Sequence, residues 1–509
     1  MSTVKDNNLI ALNGGVTNYT YDAGGKLKTT TDPLNHTTSY IYSVFDGQLL
    51  SMTDALNNGT SYEYTAGYLT KQTDAFGHET KFGYDNNGNR GLQTVLRTNA
   101  QGQLEDITTH YEYDKLNRLK KTTFADGSFA QVEYNSIGQQ SATIDQLGHR
   151  TEFTYDDMGR LTKTTYADGT FEETSYDAEG RRLTSKDRAG HVTSYTYDEL
   201  GRLTKTTFAD GTFTQTSYDA IGRIISTKDA RGNTTTYDYD PNCGCSGRRS
   251  KITDPLGHVT TFSYDGNGNQ ISMTDALSHA TGYEYDANNR RTKTTYADGT
   301  FDTISYDALG RTISKTDQAG KTSQFTYDAL TRLIKLTDAL TQETHYTYDE
   351  VGNQISQTDA LNHITRYEYD QLGRRTKRIL PGGQTEIYTY LASGRLQNKV
   401  DFNGKTTTYA YDIMNRLLSK TPDPSLSQPA VTFTYAAISQ RATMSDASGT
   451  TTYGYDSRNR LTSKQTRLCL IKAMMERFMR QTAILPQKSQ IGVFLQGSSR
   501  TGSPIFCLR

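Results

Sequence analysis

"YDELGRLTKTTFADGTFTQTSYDAIGR", residues 197–223, ends on nearly the phrase that opens it. Tyr197-Asp198-x-x-Gly201-Arg202 returns as Tyr218-Asp219-x-x-Gly222-Arg223. Working outward from this stretch, the tyrosine recurs as 21 anchors between Tyr21 and Tyr455, most of them 21 residues apart. Asp follows it in 16 units; Tyr42, Tyr64, Tyr134, Tyr390 and Tyr435 lack it. Four residues after the tyrosine stands Gly in 12 units and Asn in 4 (Asn117, Asn289, Asn415 and Asn459). Gly and Asn tolerate left-handed backbone, so this position is predicted to take positive φ throughout the chain.

Each unit carries a second turn. In "FADGTF" (208–213) the pair Asp210-Gly211 predicts a two-residue type I′ hairpin loop, a cue repeated at Asp126-Gly127, Asp168-Gly169 and Asp298-Gly299. Other units use loops such as Asp254-Pro255-Leu256-Gly257-His258. Between turns lie short segments rich in Thr, Tyr and Phe with period-two spacing, so Tyr195 and Tyr197 share a face. One unit is therefore a hairpin, and the chain an all-β meander of roughly 40 antiparallel strands. At about 4.8 Å per strand the sheet would be roughly 200 Å wide, and twisted sheets of that width curl. Aliphatic residues are too sparse for a thick core, so the pattern predicts a spiralling hairpin sheet around a wide interior, with facing aromatic pairs as local support. The Asp after the anchor suits an Asx-turn, and the Arg after the Gly suits pairing with a neighbouring carboxylate and covering of a Tyr ring.

Composition narrows the classes. Of 509 residues 34% are hydrophobic; there are 36 Tyr and no Trp, and the net charge is −1. Near-neutral charge gives no footprint for nucleic acid, no apolar run is long enough to span a membrane, and no signal peptide is visible. The opening residues enter the repeat by Tyr19-Thr20-Tyr21-Asp22, as if cut from a longer array. Four Cys exclude a disulfide scaffold.

"YDELGRLTKTT", "YDALGRTISKT" and "YDQLGRRTKR" resemble the YD repeat of the Rhs (rearrangement hotspot) family: bacterial Rhs and wall-associated polymorphic toxins, the C components of insecticidal toxin complexes, and teneurins. The resemblance covers residues 15–462. It implies a β-shell or cocoon, secreted or at the cell surface, which in polymorphic toxins encloses a variable toxic domain. The segment like "YDPxxGRFxxxDP" that commonly ends such shells is missing, so no autoprotease residues carry over. The expected domain layout is a repeat array over residues 1–462, with insertions near 90–108, 240–249 and 421–430, and a separate tail over 463–509.

The tail has no Tyr or Asp and a net charge of +7; Leu468 to Ile484 carries a helical Leu/Met/Phe stripe. It reads as the product of a reading-frame change, a cargo remnant or plug, or a flexible basic terminus. Cys243 and Cys245 lie in an elongated turn without two further zinc ligands. "DNNGN" (85–89) and "DGNGN" (265–269) start like calcium loops but lack the Gly and Glu such loops need, and read as turns with Asn in the Arg position. His36, His78, His149, His191, His258, His279 and His363 share one turn context and are expected to be exposed, too far apart to share a metal. No nucleophile elbow, Walker loop or HExxH occurs, so no catalytic, cofactor-binding or metal-binding residue is assigned. The function expected is a non-enzymatic shell segment that encloses or displays a toxin or other cargo polypeptide. The alternative is a surface adhesin that binds glycans or proteins through its tyrosines; toxin activity in the tail is a third reading.

Overall fold

The computed structural model describes residues 2–5, 15–240 and 247–468. They form one antiparallel sheet of 43 strands, each paired with the strands before and after it in the chain. Among the described residues the first strand, Ser2–Lys5, pairs only with Val16–Tyr21, and the last, Leu461–Leu468, only with Gly449–Tyr455, so the described ladder is open at both ends. The sole helical turn among the described residues is Pro424–Leu426, in the insertion near 421–430. Cys243, Cys245 and the 468–484 stripe beyond Leu468 lie outside the described residues, although the ladder closes on both sides of the former at Tyr239 and Arg249.

Both turns of the unit share one build. In the Tyr-Asp turn the Asp198 N–H donates to the Arg202 carbonyl at 3.0 Å and the Gly201 N–H to the Asp198 carbonyl at 2.9 Å. In the second turn Phe208 N–H donates to the Thr212 carbonyl at 2.8 Å and Gly211 N–H to the Phe208 carbonyl at 2.9 Å. Only the last loop residue is left-handed, Gly201 at φ +77° and Gly211 at φ +78°. The Asp-Gly loops are thus three-residue loops, a type I turn followed by a left-handed residue. This corrects the two-residue type I′ reading, which needs Asp210 at positive φ as well. The steric demand at the fourth position is met even without Gly or Asn: Thr331 and Ser439 take φ +64° and +66°.

The two turns differ in what lies beneath them. Thr196 opposes Lys205 but Tyr197 opposes Leu203, which leaves Thr204 as an extra residue, its hydroxyl on the Thr196 carbonyl at 3.1 Å. The same shift recurs under the other Tyr-Asp turns, for example at Tyr155, Tyr218 and Tyr327. It is absent from the hairpins that join Leu161–Thr165 to Phe171–Tyr176 and Leu203–Thr207 to Phe213–Tyr218. A bulge bends a strand and increases its twist. Repeated along one rim of the sheet and not the other, it coils the whole sheet.

The coil has a measurable period. Hydrogen bonds between distant parts of the chain join residues 246 to 273 positions apart, such as Arg458 with Thr212 and Arg97 with Asp370. One revolution therefore takes about 12 units, and at about 4.8 Å per strand its circumference is about 120 Å. The wall is one sheet thick. Ala142 is the only buried hydrophobic residue among those described. Cohesion comes instead from pairs on the two faces. On one face Lys163, Glu173 and Lys186 oppose each other across three strands, with Lys186 Nζ 3.2 Å from Glu173. The other face is rich in Thr and Tyr. The expected aromatic ladder is not what supports it: Tyr195 faces Thr206, and the one Tyr/Phe ring pair among the described residues is Tyr68 with Tyr84, at 4.9 Å. The rings meet cations instead.

Candidate functional site: two rims and a seam

The Tyr-Asp rim is a staircase in which each unit holds the next. Asp198 Oδ1 accepts the N–H of Leu200 at 3.1 Å and of Arg202 at 2.9 Å, the expected Asx-turn, and its Oδ2 accepts Arg202 Nε at 2.7 Å. These bonds, the Arg202 N–H first, hold the Asp198 carboxyl below its ordinary value. The fixed guanidinium then lies over the ring of Tyr218 in the next unit, 4.8 Å from its centre, and donates through Nη1 to the Asp219 carbonyl at 3.0 Å. Tyr218 in turn donates its hydroxyl back to the Leu203 carbonyl at 2.8 Å. Pairing between Leu203–Thr207 and Phe213–Tyr218 covers only Lys205 to Thr207, so that carbonyl lies beyond the ladder and the phenol satisfies it. The same arrangement recurs at Arg160 with Tyr176, Arg311 with Tyr327 and Arg332 with Tyr348. The sequence indicated that Arg covers Tyr. That the Tyr belongs to the next unit, and that the carboxylate belongs to the same turn, follows only from the register.

The second rim replaces Arg with His. Each of the seven turn histidines places Nδ1 against the Asp four residues earlier, from 2.9 Å at His36 and Asp32 to 3.2 Å at His191 and Asp187. Their exposure is not uniform, which corrects the expectation. His258, His279 and His363 are exposed, the last at 56%, whereas His36, His78, His149 and His191 are half-buried, His149 at 22%. The division follows the coil. Second-rim turns from Asp32 to Asp210 lie against Tyr-Asp turns one revolution later, along a seam.

The seam is polar and specific. Asn288 donates to Asp32 at 2.6 Å, Asn415 to Asp145 at 3.1 Å and Asn459 to Asp187 at 2.8 Å. Arg374 lies 3.3 Å from Asp126. Burial at the seam pushes the Asp145 carboxyl up, but the N–H groups of His149 and Leu147 and the Asn415 amide outweigh it, and the net shift is downward. Apolar turn residues are less exposed there too: Leu147 is 39% exposed where Leu361, its counterpart on the free part of the rim, is 74% exposed.

The insertion near 90–108 is the strongest tie across the seam. It lengthens two strands to Arg90–Thr98 and Leu104–Tyr113, so their hairpin overhangs the rim. Buried Arg97 pairs with Glu105 and donates to the Asp370 carbonyl at 2.5 Å. Glu350 accepts the Thr98 N–H at 2.8 Å and hydroxyl at 2.5 Å. A cavity of about 600 Å³ lies beside this contact, lined by Arg97, Tyr348, Glu350, Arg366 and Tyr369 among others. A second polar cluster sits within the wall: buried Glu386 lies 2.7 Å from both Lys399 Nζ and the Tyr388 hydroxyl. Burial and the Glu386 carboxylate push that hydroxyl up to about 12. Sequence reading missed both groups, because Glu350, Arg97 and Glu386 occupy ordinary turn and strand positions.

The remaining sequence candidates are accounted for by the turns. Asn89 donates its backbone and side-chain N–H groups to Asp85, each at 2.9 Å, which places Asn where other units have Arg. Asn269 does the same at Asp265. Among the described residues, no three His, Cys, Asp or Glu side chains gather as a metal site would require.

Comparison with known proteins agrees with this geometry. The teneurin YD-shell family model matches residues 106–301, and the RHS repeat model matches 306–343 and 348–385, together just over half of the chain. No curated protein sequence matches. Among solved structures, the crystal structure of TcdB2-TccC3-Cdc42 superposes with a TM-score of 0.72 at 15% identity, covering 89% of this chain and 32% of that one. The Tc holotoxin pore of Photorhabdus luminescens gives a TM-score of 0.70 at 15% identity with the same coverage. The chain thus spans about a third of the solved chains it is similar to. With its anchors, bulged rim and coiled single sheet, the chain belongs to the Rhs/YD-repeat family and has the YD-shell fold.

Proposed function

We propose that this chain is a non-enzymatic wall segment of a hollow shell that encloses or displays another polypeptide, a toxin or similar cargo. The observation that carries this reading is the wall itself: one layer, coiled through more than a full revolution, with a single buried hydrophobic residue among those described. A sheet of this extent that covers no core of its own has its interior available to something else. A solved structure of the same fold is that of the Tc holotoxin pore of Photorhabdus luminescens, which supports a toxin-delivery setting. The adhesin reading gains less, because many anchor rings are already covered by guanidinium groups and their hydroxyls are tied to carbonyls. Solution scattering of the purified chain tests the proposal: a distance distribution of a thin-walled, hollow particle supports it, and that of a solid particle of the same mass refutes it.

A further inference from the structure

Within one chain the seam joins two different rims, second-rim turns of the first revolution to Tyr-Asp turns of the second. Among the described residues each rim therefore has one stretch that is covered and one that is not. On the free Tyr-Asp rim, Leu116, Leu200 and Ile221 stand exposed, whereas their seam counterparts Leu309, Leu330 and Leu372 are half-buried. On the free second rim, Leu256, Leu340 and Leu361 stand exposed, whereas the counterparts Leu34, Leu56 and Leu147 lose about half of that exposure in the seam. The polar groups match as well. Asn117 holds on the free Tyr-Asp rim the turn position that Asn415 and Asn459 hold in the seam, and Glu199 holds that of Glu350. Asp254, Asp275 and Asp359 on the free second rim present the carboxylates that Asp145 and Asp187 offer to the amides of Asn415 and Asn459.

We propose that the two free rims are the two halves of a head-to-tail interface between copies of this chain, the Tyr-Asp rim of one copy seated on the second rim of another with the chemistry of the seam. A second copy is the occupant the structure favours, because each copy carries both complementary rims and the seam shows them fitting together. The contact is heterologous: neither rim is used up by a partner that offers the other, so stacking does not close. The rows of exposed leucine on both rims, with isoleucine on the Tyr-Asp rim, would be covered in such a stack, as large exposed apolar rows on a surface commonly are.

Sedimentation velocity of the full chain over a range of concentrations tests this directly. The expected result is a mass that rises in whole multiples of one chain. Two variants fix the polarity: Leu200→Asp with Ile221→Asp breaks the Tyr-Asp rim, and Leu340→Asp with Leu361→Asp breaks the second rim. Each variant alone should remain a monomer. Mixed one to one they should form a species of twice the monomer mass and no larger, because only one intact rim of each kind remains, and this recovery also shows that both variants are folded. An unaltered chain that stays monomeric at every concentration would overturn the proposal. So would a single variant that still assembles, or a mixture that stays monomeric.

Discussion

Residues 145–149 and 359–363 are the same turn in two places. Asp145 and Asp359 each hold the histidine four residues on, His149 and His363, at 3.1 Å. Within the unit nothing distinguishes them. Yet Asp145 also receives Asn415 from one revolution away and Leu147 is about half as exposed as its counterpart, while among the described residues Asp359 receives no such amide and Leu361 faces solvent. The unit fixes the hairpin locally, and the position on the coil decides whether a rim is an interface or a surface. Quasi-one-dimensional repeats usually contact only their sequence neighbours; here the coil adds a second neighbour about 12 units away.

The largest effect that would sharpen this comparison is expected at the overhanging hairpin. Arg97→Ala removes a buried guanidinium and leaves Glu105 and the Asp370 carbonyl without it. It should cost about 3 kcal/mol, measured by urea unfolding. Glu350→Ala loses two hydrogen bonds from Thr98 and should cost about 2 kcal/mol, while Glu199→Ala, at the same turn position on the free rim, should stay within about 0.5 kcal/mol. Equal effects at Glu350 and Glu199 would break the distinction between seam and free rim.

A smaller effect separates the unit from the coil. Tyr218→Phe and Tyr348→Phe each leave a carbonyl, of Leu203 and Leu333, without its phenol, on the free rim and in the seam respectively. Both should cost about 1 kcal/mol, because the bond is made within the sheet wherever the unit lies. Hydrogen exchange around each bulge checks this, and a loss confined to Tyr348 would show that the hydroxyl serves the seam.

The smallest effect concerns pH. The Asp145 carboxyl is held low in the folded state, so its contribution to stability is present above the unfolded value and is lost as pH falls through the folded value. Asn415→Ala should raise the Asp145 value toward that of an ordinary carboxylate and move its acid transition to higher pH. Asp359, whose downward shift comes first from the His363 N–H, should titrate as before. Carboxyl-carbon NMR titration reads both in one experiment.

The sequence made the hairpin legible, because each demand is local: Gly or Asn at Gly201, Asp at Asp198, and alternation through Tyr195 and Tyr197. The turn type at Asp210-Gly211 is not legible in the same way, since an Asp-Gly pair fits both a two-residue and a three-residue loop, and the two differ in whether Asp210 as well as Gly211 is left-handed. Curling was legible as a necessity, but its period was not. That period comes from a bulge at Thr204, where Thr is as common as anywhere in the strands. The seam was illegible for the same reason. His149 and His363 sit in near-identical phrases, and what sets the first turn apart is an amide 270 positions beyond Asp145, that of Asn415, with no local signature.

The central claim is that residues about 250 apart lie side by side across a seam. A pair of spin labels at Ala100→Cys and Val351→Cys, with the four native cysteines replaced, measures it by double electron–electron resonance. The account predicts a short, well-defined distance across the seam. Were the sheet uncoiled, the same labels would be separated by about 24 strands, roughly 115 Å, and the absence of any short distance would contradict the account.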